Sequence, residues 1–447
     1  MDLTEGNLKS HIWAIATPAC VGLFFNTMLN VIDTFFAGMI STEAIAALSL
    51  SFPLFILIIA FDQGISSGAS TLISNAFGEK QKEQVRLYSA QTLSFGVLSS
   101  FLVMLIGLTT SRFLFMQMGA SGYLLDLSLE FMNTLFWGAS AFVMGAAANA
   151  ILLAHGNTKV LRNFLVVGCL INAVLDPWLL FGGFGVPPLG VRGIAIATVI
   201  VELLGTLYIM GYVVKKHYLR GCKVSDFIPK WLYFSNLLKQ SIPSSLNMMA
   251  IGIGFFVINF FLKEFSDQAV AAFGIGTRVQ QIFLLPTIGL SVATLSIIGQ
   301  NNGAKLPLRI YETILITLKW GALIASIGMV TMLFFGKALI GIFSRDPSVI
   351  EIGYLFLVSA AISNWGYMVM GIYNSTLQGL KQPNFPFYTT LVRQVLLPLI
   401  LFPLLIHYYH FEIASLWISI VVISLTAAIV TRTYALHVLR KSYPHYY

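Results

Sequence analysis

The residues most able to do chemistry are four acids within long apolar segments: Asp33, Asp62, Asp176 and Glu202. A charge at the centre of a lipid bilayer costs about 2.5–3.5 kcal/mol on insertion scales, so an acid kept there indicates a function. The chemistry open to such an acid is the capture and release of a proton or a small cation. Asp62, in "AFDQG", has no obvious partner in a polar stripe and could face an aqueous vestibule.

Two of the acids belong to polar stripes along predicted helices. Asn26, Asn30 and Asp33 are spaced i, i+4 and i+7, which puts them on one helical face. Asn172 and Asp176 are spaced i and i+4, with the same consequence. Two neighbouring acids in a low dielectric cannot both ionise cheaply, so either one holds a proton or both coordinate a cation. Oxygen ligands suit a hard ion such as Na⁺, so Asp33, Asn172 and Asp176 are the predicted ligands.

Other polar residues are weaker candidates for the same site. Asn149 lies in "AANAILLAHGN", and Thr198 and Glu202 lie one helical turn apart. A single Asn in a membrane helix more often makes one interhelical hydrogen bond, worth about 0.6 kcal/mol on average. Arg192, near the outer end of its helix, either neutralises Asp176 or lies in water.

Two prolines lie close to these acids. Pro177 follows Asp176 directly; it removes a backbone donor and strains the preceding turn, which is expected to free carbonyls beside Asp176. Broken backbone at that depth is tolerated where it lines a cavity or is buried in protein. Pro18 lies on the helix of Asp33 and either permits that helix to bend or is an inert kink near its start.

Composition indicates the solvent in which the chain folds. Of 447 residues, 57% are hydrophobic and only 10% are charged, against about 25% charged residues in a soluble domain. The chain is therefore predicted to be an all-α polytopic membrane protein. Its net charge of +8 is explained by Lys and Arg retained on the cytoplasmic side rather than by nucleic acid. Cys20, Cys169 and Cys222 fit neither a disulfide framework nor a metal site.

Charged, Gly and Pro residues divide the sequence into twelve predicted transmembrane helices. With the N-terminus in the cytoplasm, the cytoplasmic segments hold seventeen Lys and Arg residues and the opposite side six. Both termini are therefore expected in the cytoplasm, and the short termini favour the inner membrane of a prokaryote. The predicted spans are 12–38, 45–74, 89–110, 129–154, 163–183, 190–214, 237–262, 275–299, 311–335, 352–379, 386–408 and 413–438.

The two halves of the sequence form an internal repeat. A shift of 225 positions aligns Pro18 with Pro243 and Gly64 with Gly289, and needs no gap over some 60 residues. Six spans per copy give both copies one orientation, so the lobes are related by a parallel repeat. The predicted lobes are 1–214, with the cation site, and 237–447, joined by a cytoplasmic linker, 215–236. The membrane acids lie only in the first lobe; Ile258 stands where the repeat would place a partner of Asp33.

These motifs resemble those of a known transporter family. "AIAALSLSFPLFILI", "GASTLISNAFGEK", "HGNTK" and "NAVLDP" with "GVRGIAIATVIVE" look like the multidrug and toxic compound extrusion (MATE) family, closer to its prokaryotic DinF-type than to its NorM-type branch. The resemblance implies a MATE/MOP-type fold. It also implies antiport, in which inward movement of H⁺ or Na⁺ drives export of bulky, often cationic and aromatic compounds by alternating access. Members are expected to be monomers without a cofactor.

The resemblance also assigns roles to residues of this sequence. It implies a cation site in the first lobe, formed by Asp33, Asn149, Asn172, Asp176 and Thr198. Pro18 matches a family proline that is associated with helix bending. Glu202 and Asp62 have no secure counterpart.

The second lobe carries polar residues without acids. Asn364, Tyr367, Asn374 and Gln378 lie along the tenth span, where they either line a cavity for neutral or aromatic groups or bind neighbouring helices. Arg278 and Arg393 are interpreted as interfacial anchors or as contacts between the lobes.

Three other functions compete with antiport. A lipid-linked oligosaccharide flippase of the same superfamily needs a strongly cationic cavity, whereas here the membrane acids outnumber the buried bases. A membrane enzyme needs a convergent catalytic set, which the scattered histidines do not provide. A passive channel is disfavoured by the two-lobe design. The histidines are His11, His155, His217, His407, His410, His437 and His445.

Overall fold

The computed structural model describes residues 1–409, 412–444 and 446. His410 and His445, two of the histidines considered above, lie outside this part of the chain. Within it the chain is helical, and no strand is formed beyond one isolated bridge between Gly183 and Val186. Eleven of the described helices are long and apolar enough to cross a membrane, and the count is twelve spans if one bent pair is taken as a single span. The predicted all-α polytopic class is confirmed.

The helices follow one another through short turns. The first seven are α1 (Leu8–Gly38), α2 (Thr42–Gly78), α3 (Lys82–Gln117), α4 (Gly122–Trp137), α5 (Ala139–Ala154), α6 (Lys159–Phe181) and α7 (Gly190–Lys215). A 3₁₀ turn (Val224–Asp226) precedes α8 (Trp231–Lys263), α9 (Asp267–Gly303), α10 (Pro307–Gly341), α11 (Pro347–Gly379) and α12 (Asn384–Leu391). The chain ends with a π-helical turn (Val392–Leu396), α13 (Leu397–Pro403), a second π-helical turn (Leu404–Tyr408) and α14 (Ile413–Ser442).

The fourth predicted span, 129–154, is the bent pair. The helices α4 and α5 meet at Gly138 with a bend of 43°. Glycine is required there because a Cβ would lie 2.3 Å from the Cγ2 atom of Val199 on α7. Most of the other helices extend several residues beyond the predicted apolar segments, so hydrophobicity located the spans but underestimated their length.

The helix bounds repeat along the chain. From Thr42 to Asp267, the starts of α2 and α9, is 225 positions, and from Gly78 to Gly303, their ends, is the same distance. The helices that complete the fourth span of each copy, α5 and α11, end at Ala154 and Gly379, again 225 positions apart. The caps repeat as well, since the side chains of Ser41 and Ser266 accept from Ala44 N and Ala269 N at 3.1 Å.

The chain forms two compact units that are interleaved in sequence. The first unit holds Met1 and residues 21–248; the second holds residues 2–20 and 249–447. These bounds differ from the predicted lobes, 1–214 and 237–447, because the starts of α1 and α8 are each grouped with the other copy of the repeat.

Two equivalent glycines account for this exchange. In the first unit, a Cβ on Gly64 would lie 2.7 Å from the carbonyl oxygen of Ser241 on α8. In the second unit, a Cβ on Gly289 would lie 2.7 Å from the carbonyl oxygen of Ala16 on α1. Glycine therefore lets each incoming helix approach at backbone contact, as small residues do in membrane helix pairs.

The linker between the repeats is fixed to the first unit. The buried Gln91 on α3 donates through Nε2 to the carbonyls of Asp226 and Ile228, at 2.6 and 2.7 Å. Its Oε1 accepts from the backbone N–H of Lys230 at 2.9 Å. The backbone N–H of Lys223 donates to the Asp226 carboxyl and, with the Arg86 guanidinium, lowers the pKa of that carboxyl. The predicted linker is thus an ordered segment, held by a side chain of a spanning helix.

Aromatic rings fill the cores of both units. In the first unit, a Cβ on Gly205 would lie 2.1 Å from the ring of Phe164, which brings α6 and α7 together. In the second unit, the buried Trp417 stacks on Phe273 and meets Phe356 edge to face. The cysteines predicted to form no framework are free.

Candidate functional site

The position of the candidate ion site depends on the close packing of α6 against α7. Gly182, with φ of 78°, ends α6, and the chain turns back to start α7 at Gly190. A Cβ on Gly193 would lie only 2.6 Å from the carbonyl oxygen of Leu179, so glycine allows the two backbones to touch. This contact brings the polar face of α6 beside Thr198, which follows on α7.

Asn172 and Asp176 form the centre of the site on α6. Both side chains are fully buried. The Asn172 amide Nδ2 donates to Asp176 Oδ1 at 3.1 Å, as their i, i+4 spacing predicts. An amide that holds a carboxylate in place orients that carboxylate for a ligand on its free side.

Asp33 on α1 completes the site. Its carboxyl lies close enough to the Asp176 carboxyl and to Asn172 for side-chain hydrogen bonds. The Thr198 hydroxyl lies 3.4 Å from Asp33 Oδ2 and 3.1 Å from the Ile194 carbonyl, and its single hydrogen can be donated to either oxygen. Helix α1 and the two consecutive helices α6 and α7 therefore bring two carboxyls, one amide and one hydroxyl together, within the first unit.

Three oxygens of this site have no donor. Asp33 Oδ1, Asn172 Oδ1 and Asp176 Oδ2 are buried, and none accepts a hydrogen bond from the described residues. Leaving buried polar atoms unpaired is costly, and two carboxylates in contact repel each other. A proton shared between the carboxyls, or a small hard cation held by the oxygens, would satisfy all of them. The arrangement can therefore bind and release H⁺ or Na⁺.

Arg192 does not neutralise this pair. It is exposed and makes no ion pair with Asp176 within the described part of the chain. Of the two predicted environments for Arg192, the structure has the exposed one. Among the residues that the structure describes, the site thus has no basic partner, which keeps its negative charge available for a cation.

Asn26, Asn30 and Asn149 lie apart from the hydrogen-bonded cluster. Asn26 and Asn30 are exposed, and the Asn30 amide donates to the Asn26 carbonyl at 3.0 Å. Asn149 on α5 is half-buried, and no hydrogen bond joins it to Asp33 or Asp176 among the described residues. The stripe on α1 therefore contributes Asp33 alone to the cluster.

The two prolines do not interrupt their helices. Pro177 lies inside α6, which continues to Phe181, so the predicted break beside Asp176 is absent. The effect of Pro177 on α6 is local, since the carbonyl of Ala173 loses its helical donor because Pro177 has no N–H. Pro18 likewise lies inside the continuous helix α1, two residues before the chain passes from the second unit to the first. Its role in bending stays a prediction.

A second pair of acids was not predicted. Asp62 on α2 and Glu202 on α7 are both half-buried, and the two charges lie close enough to interact. Both α2 and α7 pack against α5. The sequence gives no signal for this pair, since 140 positions separate the two acids and neither belongs to a stripe with the other.

The family model MatE matches the chain twice, over residues 18–178 and 243–404. Together these ranges cover more than half of the 447 residues. The matches begin at Pro18 and Pro243, the pair that the 225-residue shift aligns. The predicted repeat of two six-helix halves is confirmed.

Similar proteins cover nearly the whole chain. A FAD transporter of Shewanella oneidensis is 29% identical over 86% of this chain and 85% of its own. The probable multidrug resistance protein YoeA of Bacillus subtilis is 26% identical over 93% of this chain and 92% of its own. The structure of a MOP superfamily transporter from Pyrococcus furiosus superposes with a TM-score of 0.92 at 23% identity, over 99% of this chain and 98% of its own. That structure shares the fold.

Proposed function

The chain belongs to the MatE family of multidrug efflux transporters, and we propose that it is an antiporter driven by H⁺ or Na⁺. In this proposal it exports bulky aromatic compounds, often cations, by alternating access. The observation that carries the proposal is the set of three buried oxygens without a donor, on Asp33, Asn172 and Asp176. Such a set is stable only with a proton or a cation present, so its occupancy follows the ion gradient.

Coupling needs an element whose conformation depends on the ion. A bound ion shifts a two-state equilibrium only by its difference in affinity for the two states. The helix α1 is suited to this, because it carries Asp33 in the first unit while its residues up to Cys20 belong to the second unit. We infer that binding of an ion to Asp33 and Asp176 changes the conformation of α1, and that this change releases cargo.

The proposal includes the setting of the protein. Both termini face the cytoplasm of a prokaryote, and the transporter acts as a monomer in the inner membrane. Lys and Arg are concentrated in the segments that this orientation places inside. Reaction of single cysteines, introduced at exposed turns, with an impermeant reagent on intact cells and on inverted vesicles tests the orientation.

The decisive experiment measures uphill transport by the purified chain in proteoliposomes. A fluorescent aromatic cation is supplied at equal concentration on both sides, and either a proton gradient or a Na⁺ gradient is imposed. Accumulation against its own gradient with one ion identifies that ion. Equilibration without accumulation under both gradients indicates a passive channel and refutes the proposal. A dye-labelled lipid-linked oligosaccharide in the same vesicles tests the flippase alternative.

A second candidate function is export of an anionic aromatic cofactor. The relative from Shewanella oneidensis is described as a FAD transporter. In this chain, Arg393 lies within a spanning segment of the second unit, where a cation carrier gains nothing from a positive charge. FAD in place of the cationic dye, under the same gradients, separates the two candidates.

A further inference from the structure

Arg393 is a basic residue deep in the apolar part of the second unit. It is the tenth residue of the 25-residue span Asn384–Tyr408. At 1.5 Å per residue it lies roughly 14 Å from the start of that span, near the middle of a bilayer. A charge at this depth must face protein or water, and it must find a partner.

The backbone around Arg393 is an irregular turn. Val392–Leu396 is a π-helical turn, in which the Leu397 N–H bonds to the Val392 carbonyl, five residues back. Pro398 lacks the N–H that would bond to the Gln394 carbonyl in a regular helix. A Cβ on Gly254 of α8 would lie 2.9 Å from that carbonyl oxygen, so glycine leaves room for it. Single π-helical turns inside helices often mark functional sites.

The contacts of Arg393 leave its charge without an anion. Its guanidinium lies over the ring of Tyr367 on α11, 4.9 Å from the ring centroid. Its Nε is buried and donates to no acceptor within the described residues. It forms no ion pair there either. A cation–π contact orients a guanidinium but does not neutralise it.

The second unit offers no acid at this depth. Its acids lie in loops or within the first two turns of a helix, far from the middle of the spans. They are Asp2, Glu5, Glu264, Asp267, Glu312, Asp346, Glu351 and Glu412. A ligand is therefore the remaining source of negative charge for Arg393 inside this unit.

We propose that Arg393 and Tyr367 form an anion site that binds the carboxylate or phosphate group of an aromatic compound. A guanidinium binds both groups through two parallel hydrogen bonds. The Tyr367 ring holds the guanidinium plane in place and offers an aromatic surface. The site rests on the second candidate function above, because its ligand is an anionic aromatic cargo.

Asn374 extends the site along α11. It lies seven residues after Tyr367, hence on the same helical face. Its Oδ1 is buried and accepts no hydrogen bond from the described residues. By contrast, the Oδ1 of Asn364 on this helix has a partner, since it accepts from Gln280 Nε2 at 2.8 Å. The free Asn374 oxygen suits cargo that carries an N–H or O–H group near its anion.

Binding of pyrenebutyrate to the purified full chain tests the site. Arg393→Gln is expected to weaken binding of this carboxylate by about tenfold or more, and Arg393→Lys by less, since a lysine keeps the charge without the fork. The methyl ester of pyrenebutyrate is expected to bind both variants like the unsubstituted protein. Arg345→Gln, at an exposed residue in a loop, controls for the loss of one positive charge.

Each result of these binding measurements either overturns or supports the anion site. Unchanged carboxylate binding by Arg393→Gln overturns the proposal, and so does an equal loss for the ester, which would indicate a structural role. Competition by inorganic phosphate that disappears in Arg393→Gln supports it. A negative membrane surface by itself repels pyrenebutyrate, so the loss of binding in vesicles with phosphatidylglycerol is compared between the unsubstituted protein and Arg393→Gln. A larger fractional loss for the unsubstituted protein supports an anion site and identifies a lipid headgroup as an occupant.

The test is independent of coupling. If the unsubstituted protein transports nothing under any gradient, the proposed function fails, whatever pyrenebutyrate does. If it accumulates the fluorescent cation and Arg393→Gln accumulates it equally well, the ion site works without Arg393. If that same variant loses anion binding, the anion site lies in the second unit and is separate from the ion site of the first.

Discussion

The two units of this protein share a backbone design and differ in their buried charges. The first unit carries acids inside its spans, whereas the second carries Arg393 and no acid at that depth. At the positions 225 residues after Asp33, Asp62, Asp176 and Glu202, the second unit has Ile258, Thr287, Leu401 and Ala427. Where the second unit has Arg393, the first has Gly168. The two units therefore differ in their chemistry through a few positions on a shared backbone.

The shared design is made of residues that shape helices. Pro18 and Pro243 lie inside the first helix of each copy, and Gly64 and Gly289 let that helix touch the second helix of the other copy. Lys80 and Lys305 both have positive φ, 58° and 55°, in the turn after that second helix. Caps, turns and close contacts repeat because the equivalent helices of each copy pack in the same way.

We expect the greatest loss of transport when a carboxyl of the ion site in the first unit is removed. Asp33→Asn and Asp176→Asn each keep the size of the side chain but remove one of the two carboxyls that hold the ion. We expect each to reduce efflux of a fluorescent aromatic cation from cells by tenfold or more, on the order of 1.4 kcal/mol at least. Asp126→Asn, at an exposed acid of α4, should export normally.

Efflux must be compared at equal amounts of protein in the membrane. Normal export by both Asp33→Asn and Asp176→Asn would show that the acids of the first unit do not couple transport. The comparison between the units would then lose its functional meaning, although the fold would be unaffected.

Much of the fold follows from the sequence alone. Apolar runs located the spans, and the 225-residue shift found the repeat, because both depend on local residue types. The exchange of helix starts could not be predicted, since it depends on which backbone Gly64 and Gly289 touch. The bend at Gly138 also escaped prediction, because an isolated glycine in an apolar run has many meanings.

The site was predictable in part for the same reason. Asn172 and Asp176 lie on one helix, so their spacing fixes their contact. The contact of Asp33 with Thr198, across 165 positions, was expected from the family resemblance. Stripe periodicity also selected Asn26 and Asn30, which the structure leaves exposed, because it cannot tell how far a helical face extends into the protein.

The equivalent glycines test whether the two helix contacts are equally tight. Gly64→Ala and Gly289→Ala each place a Cβ 2.7 Å from a backbone carbonyl oxygen, so a helix must shift. At Gly64 the Cβ also clashes with the Ser245 hydroxyl, which must move as well. We expect each substitution to lower stability by about 1–3 kcal/mol, as overpacking does. Thermal unfolding of the purified protein in detergent measures it.

Gly211→Ala is the matched control for both glycines. A Cβ on Gly211 of α7 meets no atom within 4 Å, and glycine is a poor helix former. This variant should therefore be unchanged or more stable, by about 0.5–1 kcal/mol. Destabilisation by only one of Gly64→Ala and Gly289→Ala would show that the two contacts are not equivalent.

A smaller loss of stability is expected when the hydrogen bonds that hold the linker are removed. Gln91 makes three hydrogen bonds to the linker backbone, whereas the equivalent residue of the second unit is Ile316. Gln91→Leu leaves backbone groups unpaired, at a cost of about 1–2 kcal/mol. The linker should then be cut faster by trypsin, at Lys223 or Lys230. Ile316→Leu should leave the rate unchanged, and equal cleavage in both variants would refute the role of Gln91.

The smallest effect concerns the turn after α5, where the first unit has His155 and the second has Leu380. Burial lowers the pKa of His155 from 6.5 to about 4, and the positive N-terminus nearby acts in the same direction. Because the folded pKa is the lower one, stability is full above pH 6.5 and falls as the pH drops towards 4. Between about pH 7 and about pH 5.5 this group should cost about 1 kcal/mol.

His155→Gln cannot titrate, so its unfolding temperature should fall less than that of the unsubstituted protein over this pH interval. Part of the His155 packing would be lost in the variant, since the ring stacks on Tyr218 at 4.0 Å and its Nδ1 lies 2.7 Å from the Ile151 carbonyl. That loss is independent of pH, so the difference between the two pH values isolates the titration. Equal pH dependence in both proteins would mean that His155 titrates normally in the fold, and that this turn adds no acid sensitivity to the first unit.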